Sequence, residues 1–496
     1  MIKKLKLKVT CAIVAFALII IGTTTAEFIT KKEDRLNKYV ITAQTDGKKL
    51  SGEMNLDYIN SNPFDIDNLS FCLYPNAFKN ESNVTSVAVE DRINEAYPNG
   101  FDAGYINIAS VCVDGKKAEY ILEENEQILT VFTGTIKKGK DCKIVIEFSE
   151  KLPNSPMRYG YFDNTSNFGN WYPVLCPIRD EKAVQSLYTA CGDPFFSECA
   201  DYYVSITAPK EMRIASSGVI VQKEEKDIYN STWEIKGENI RDFAFCMSRD
   251  YKLRSRKVGE TLVYSYYVEN DEMGEAALEY AVSALNTFNS LFGQYPYETL
   301  SVAAADFYIG GMEYPNLVFV STELYDEPVK TILEEVTVHE VAHQWWYAIV
   351  GNNQIAEPWL DEGLTQYSVA LYYEEKYGRG MYKHFLKENE SYCRIVFDIV
   401  EDIYGTAEKR IIRASTDFEN WLLYDAVIYD ASALMLDSLR ESIGRNTYMQ
   451  GMKKYFEEYK YKTATTDDFI NTMNEVSKND VKKIIDPWLN GSVYWG

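Results

Sequence analysis

Hydrophobic and polar residues alternate in short runs, broken by turns, from about residue 40 to 265. Lys143-Ile144-Val145-Ile146-Glu147-Phe148 and Tyr202-Tyr203-Val204-Ser205-Ile206-Thr207 show the pattern. A period of two is that of a strand with one buried face, and many such runs predict an antiparallel β-sandwich or open saddle. Beyond about 270 the period lengthens to that of helices. Glu275 to Phe292 reads as a helix closed by Gly293, and long helical segments follow to the C-terminus. One strand group interrupts them, Leu300 to Ala304 and Leu317 to Ser321. The 496 residues are therefore expected to form a multidomain α+β chain. A β domain over 27–265 is followed by a mostly α domain over 266–496.

Composition changes this picture in four places. Hydrophobic residues at 46% and charged residues at 25% exclude a disordered, collagen-like or polytopic membrane chain. A net charge of -23 repels phosphate backbones, so no nucleic-acid partner is expected. Residues 1–26 read as an address: Lys3, Lys4, Lys6 and Lys8 precede an apolar run from Cys11 to Gly22 and a small-residue end at Ala26. This segment is expected to be a cleaved signal peptide or a membrane anchor, placing the body outside the cytoplasm. Nine cysteines without a CxxC pair indicate neither a zinc ribbon nor a disulfide scaffold. Cys72, Cys112, Cys142 and Cys246 sit in apolar runs as small hydrophobes, while Cys176, Cys191 and Cys199 leave room for one disulfide.

Only three histidines occur, and two fall in His339-Glu340-Val341-Ala342-His343. Val338, Ala342, Trp345 and Ile349 mark an apolar stripe at helical spacing, so this segment is expected to be helical. At i and i+4 both imidazoles leave one helix face and can reach a single metal ion. Glu340 is placed beside them to take a proton from water activated there. A catalytic zinc takes three protein ligands and keeps a fourth position open. The third is expected in Pro358-Trp359-Leu360-Asp361-Glu362-Gly363-Leu364, where Pro358 suits a helix start and Trp359, Leu360, Leu364 and Tyr367 make an apolar face. Asp361 and Glu362 are both carboxylates, and spacing alone does not choose between them. His384, among Lys383, Lys387 and Glu388, reads as a solvated surface residue. Glu334 and Glu335 read either as outer partners of the ligand imidazoles or as first-turn acids.

These motifs resemble the gluzincin aminopeptidases, the family of membrane alanyl aminopeptidase and leukotriene A4 hydrolase. There HExxH is followed, after eighteen residues, by a Glu ligand in a W-L-N-E-G segment. Here residues 344–361 separate His343 from Glu362, so the resemblance makes Glu362 the third ligand, with Asp361 where the family usually has Asn. Gly310-Gly311-Met312-Glu313-Tyr314 is similar to the family's Gly-x-Met-Glu-Asn segment, whose Glu holds the substrate's free α-amine; Tyr314 replaces the Asn. Tyr429, in Tyr429-Asp430-Ala431-Ser432, stands at the distance of the tyrosine that polarises the scissile carbonyl, without the family's following Lys-Gly. Tyr424 also has a tyrosine counterpart in some members. Gly169-Asn170-Trp171-Tyr172-Pro173 and Gly192-Asp193-Pro194-Phe195 look like the family's N-terminal β domain.

The resemblance implies a thermolysin-like catalytic domain in a short form without the C-terminal helical domain of larger members. It implies a zinc-dependent aminopeptidase with one Zn2+ per chain, held by His339, His343 and Glu362. Glu340 and Tyr429 would be catalytic, and Gly310, Gly311, Met312 and Glu313 would bind a peptide with a free N-terminus. Two other readings stand beside it. A zinc endopeptidase expects N-E-x-x-S-D around the third ligand, which Asp361-Glu362-Gly363-Leu364-Thr365-Gln366 does not supply. A membrane-associated peptide-binding or sensory module that has lost catalysis is motivated by Tyr314, Asp361 and Ala431-Ser432.

Overall fold

The computed structural model describes residues 35–493 and 495, so the signal or anchor expected over 1–26 lies outside the described residues. Among the described residues no helix is long and apolar enough to cross a membrane. The largest sheet has eight strands, ordered Val219–Glu225, Asn230–Ile240, Ala200–Pro209, Asn37–Thr45, Lys49–Ile59, Asp141–Lys151, Tyr105–Val113 and Lys116–Lys117. Neighbours are antiparallel except Asn37–Thr45 and Ala200–Pro209, which run parallel with Ile41 opposite Val204. The alternation read from sequence has its physical cause here. In Lys49–Ile59 the side chains of Leu50, Met54, Leu56 and Tyr58 are buried, and those between are more exposed. Two four-stranded sheets share the same core, where Phe168 stacks on Phe245 at 4.2 Å and Trp171 meets Phe245 edge-on at 5.4 Å.

The second unit opens with a five-stranded sheet, ordered Lys252–Val258, Thr261–Tyr267, Thr299–Ala305, Leu317–Ser321 and Gly311–Met312. It takes in residues on both sides of 265. Every residue of Thr299–Ala305 is buried, and a period of two explains why. Leu300, Val302 and Ala304, with Val318 and Val320, belong to the helical core, while Ala303, Ala305, Leu317 and Phe319 belong to the β-domain core. The sheet is one wall shared by two cores, which is how a strand comes to be apolar without alternation. The Asp271–Leu291 helix packs on it, capped by the Asn270 side chain, which accepts from the Glu272 and Met273 N–H groups.

The helix that carries the histidines, Lys330–Ala342, packs against Asp271–Leu291, Glu362–Tyr377 and the Leu317–Ser321 strand. It is shorter than the apolar stripe suggested. His343 is its C-cap, and a tight turn follows in which the Ala348 N–H donates to the His343 carbonyl and Val350 to Trp345, both at 3.0 Å. Trp345 and Ile349 are fully buried in this turn, so burial in a loop imitated the helical period. Tyr347 has φ 127, and its carbonyl accepts from Arg241 Nε at 2.8 Å. Arg241 also donates to the carbonyls of Ser197 and Lys462, fastening the turn to the β domain. All cysteines among the described residues are free thiols, and Cys176 meets Cys72, Sγ to Sγ, at 3.4 Å. Cys191 and Cys199 form no disulfide with it.

Candidate active site

His339 and His343 leave the same face of their helix, and their Nε2 atoms are 3.1 Å apart. Glu362 Oε2 lies 3.3 Å from His339 Nε2 and 3.1 Å from His343 Nε2. Glu362 is the first residue of the Glu362–Tyr377 helix, which follows a turn at Pro358–Leu360. Gly363 lets this helix descend on Ser432, since a Cβ at 363 would lie 2.4 Å from the Ser432 Cβ. Asp361 is turned elsewhere. Its carboxylate accepts from Asn352 Nδ2 at 2.9 Å and Gln354 Nε2 at 2.7 Å. Geometry thus separates the two adjacent acids that spacing left equal.

Each imidazole is held from behind. His339 Nδ1 faces Gln366 Oε1 at 3.2 Å, and His343 Nδ1 faces the Trp346 carbonyl at 3.1 Å. Both partners accept, so the N–H sits on Nδ1 and both Nε2 lone pairs point inward. Glu334 and Glu335 do not do this. Glu334 takes the hydroxyls of Tyr372 and Tyr377 and the Lys376 ammonium, while Glu335 lines the cavity beside the helix. Gln366 follows Glu362 by one turn, a spacing visible in the sequence but attached to no motif. Trp346 acts through its carbonyl, which no side-chain pattern reveals.

The donor set fits a tetrahedral cation. Ligands at about 2.0–2.1 Å from zinc stand about 3.3 Å apart, and the three donor atoms here are separated by 3.1 to 3.3 Å. The electrostatics ask for positive charge at that point. Burial opposes charge on His343, yet Glu362 and Glu313 raise its imidazole well above the usual range. Burial likewise opposes charge on Glu362, yet His343 and His339 hold its carboxyl far below the usual range.

Glu340 is buried beside the triad, and its Oε2 has no hydrogen-bond partner among the described residues. Burial pushes its carboxyl up to about 8 against the pull of His343. The edge strand Gly311–Met312 runs directly over it: a Cβ at Gly311 would lie 2.3 Å from Glu340 Oε1, so a side chain there would displace the Glu340 carboxylate. Glu313, 3% exposed, follows on the same segment and accepts from Gln354 Nε2 at 3.1 Å. Its carboxylate lies within 4.8 Å of those of Asp193 and Glu362. Burial, then Asp193, raises the Glu313 carboxyl well above the usual range. Asp193 is itself raised by burial against an ion pair with Arg158. Tyr429, in a π-helical stretch over Asp425–Ala431, stacks on His339 with ring centroids 5.7 Å apart. These groups surround one cavity of ≈ 290 Å³. Tyr424 is fully buried behind it, its hydroxyl filling the space that a Cβ on Gly192 would need.

The peptidase family M1 domain matches residues 276–488. This part of the chain is similar to that family's domain. The similarity extends beyond it. The chain is 25% identical over 403 residues to glutamyl aminopeptidase of Sus scrofa, covering 77% of this chain and 41% of the relative. It is 25% identical over 415 residues to aminopeptidase M1-B of Oryza sativa subsp. japonica, covering 78% and 46%. The chain thus spans less than half the length of these curated relatives. An M1 zinc metallopeptidase from Deinococcus radiodurans shares the fold with a TM-score of 0.64 at 16% identity, over 93% of this chain and 95% of that one. A mutant of that protein bound to Tyr-Ser-Ala gives 0.62 at 15%, with the same coverage. Both repeat the mixed α+β arrangement of a β domain ahead of a helical one.

Where the matched region departs from the family motif, at Tyr314, the fold supplies a reason. Tyr314 is fully buried and reaches across to the β domain, donating to Asn170 Oδ1 at 3.3 Å. Gly169 makes room, because a Cβ there would lie 1.8 Å from the Tyr314 hydroxyl. Asn170 in turn donates to Asp242 at 2.6 Å. Besides Gln366 and the Trp346 carbonyl, sequence reasoning missed Asp193. It lay in a segment read only as β domain, and nothing local announces that the fold sets it beside Glu313.

Proposed function

We propose that the protein is a zinc-dependent aminopeptidase that removes N-terminal residues from peptides. One observation carries the reading: the His339, His343 and Glu362 donors and a second pair of carboxylates, Glu313 and Asp193, converge in one cavity. The first set suits a metal, and the second suits an ammonium. The names of the relatives, glutamyl aminopeptidase and aminopeptidase M1-B, and the Tyr-Ser-Ala bound by the Deinococcus radiodurans mutant, support it. Zinc, when bound by the three ligands, supplies Lewis acidity that activates water and polarises a carbonyl. Glu340 takes the proton from the attacking water and returns it to the leaving amine. The Tyr429 hydroxyl donates to the oxygen on which negative charge develops. Glu313, with Asp193 beside it, holds the free amine. Gly310 and Gly311 line the cavity, whereas the Met312 side chain, expected there from the resemblance, is buried in the β-domain core; the Gly311–Met312 strand, at the sheet edge, offers backbone groups to an extended peptide. The basic and apolar pattern over 1–26 supports an extracytoplasmic enzyme, secreted or anchored by that segment.

Purified protein loaded with zinc is expected to release the first residue from a panel of aminoacyl amides and to leave internal bonds intact. Absence of turnover across the panel at stoichiometric zinc would instead support a non-catalytic peptide-binding module. Metal analysis after dialysis checks the ligand set. Glu362→Ala should weaken zinc retention by more than about 100-fold, since losing even an outer partner costs 10–100-fold. Asp361→Asn should retain it, because its partners Asn352 and Gln354 point it away from the metal.

A further inference from the structure

The aminopeptidase reading leaves two carboxylates of the cavity wall without a role, Glu335 and Asp425. Glu335 precedes His339 by one helical turn and shares its face. Asp425 precedes Tyr429 on the π-helical stretch and accepts from the Tyr392 hydroxyl at 2.8 Å. Asp430 stands behind them, 7% exposed and bonded to Gln366 Nε2 at 3.1 Å. Lys376, beside the neighbouring Glu334, is committed to that residue. Arg158 is the one Lys or Arg among the described cavity-lining residues, and it is paired with Asp193.

We propose that the cavity selects a cationic residue, lysine or arginine, immediately after the scissile bond. The inference rests on the aminopeptidase reading and names the substrate class of that same site. Its direction comes from the two sides of the metal triad. Glu313 groups with Glu340 and His343, whereas Tyr429 stacks on His339. With the ammonium at Glu313 and the scissile carbonyl over the triad, the next residue lies about 3.5 Å farther along an extended chain. That step leads past His339 toward Glu335 and Asp425. The acids there are short of counter-charge. Burial pushes Glu335 up to about 7 and Asp425 up to about 6, and Asp430 feels both of them. The neighbouring charge that acts on Glu335 is another acid, Glu388, on the Arg379–Tyr404 helix. A lysine or arginine side chain brings the missing cation on an apolar stem, whereas an acidic side chain meets like charge.

The test uses the zinc-loaded full chain with the amides of Ala-Lys-Ala, Ala-Leu-Ala and Ala-Glu-Ala, reading the initial release of free alanine. kcat/KM should be at least about tenfold higher for the lysine peptide than for the leucine peptide, as a charge-assisted contact of modest strength gives. The glutamate peptide should be slower than both. Glu335→Lys should reverse the order of the lysine and glutamate peptides, and because the ratio is taken within one variant, a general loss of activity cancels. Glu335→Gln should bring the lysine-to-leucine ratio toward unity and serves if the reversal variant does not fold. Equal rates for the three peptides would overturn the inference and leave the aminopeptidase reading standing. So would a lysine preference confined to the first position, seen as fast lysine release from Lys-Ala-Ala amide while Ala-Lys-Ala amide gives alanine no faster than Ala-Leu-Ala amide. No alanine release from any peptide would overturn both.

Discussion

Glu340→Gln is expected to lower kcat by about 10²–10⁴-fold while leaving zinc content and fold unchanged, which is the usual worth of a general base. The substitution is isosteric, and space is the constraint at this position. Glu340 Oε1 lies where a Cβ on Gly311 would come within 2.3 Å, so a larger side chain would press on the edge strand as well. The amide keeps the volume and loses the ability to take a proton. Oε2 has no partner among the described residues, so no hydrogen bond is broken by the change. Single-turnover kinetics, metal analysis and circular dichroism on the same preparation separate loss of the base from loss of the site. Activity within about tenfold of the parent protein would remove Glu340 from the role, given the size of general-base effects.

The second large effect concerns the amine. An N-acetylated peptide should be cleaved at least about 100-fold more slowly than its free-amine counterpart, because leaving a buried charge without its partner costs 2–5 kcal/mol. Glu313 is 3% exposed and Asp193 8% exposed, and burial raises both carboxyls toward the neutral form. Gln354 supplies Glu313 with a single hydrogen bond, and Arg158 serves Asp193. An ammonium between them supplies the charge that the wall lacks, and an acetyl group brings bulk without charge. Glu313→Ala should erase most of the difference between the two peptides. Comparable rates for both in the unmodified protein, or cuts inside a blocked peptide, would favour an endopeptidase.

The parts of this site legible in the sequence are those set by local spacing. His339, Glu340 and His343 declare themselves because one helical turn fixes their relation. Glu362 required more, since its neighbour Asp361 differs only in where the Pro358–Leu360 turn points it. Asp193 and Gln366 were illegible for a different reason. Each becomes part of the site through a contact between residues far apart in the chain, and single acids or amides are too common to stand out. The β domain was readable because alternation follows from a half-buried sheet. The segment after His343 was misleading because Trp345 and Ile349 are buried by a turn whose spacing imitates a helix. Thr299–Ala305 kept its strand character without alternation because both of its faces are covered.

That doubly covered sheet acts as a ruler. Asp193 and Arg158 come from the β half, the metal donors come from the helical half, and Glu313 leaves the edge of the sheet between them. Ala303 and Ala304, adjacent on one strand, are committed to opposite cores, so one half cannot slide against the other without reversing which side chains each core receives. The gap between amine anchor and metal is thereby set by the pleat of a strand rather than by a hinge. On the proposed aminopeptidase reading, a gap held at one residue would make the product of each cycle a single amino acid, and a longer fragment would need a different sheet.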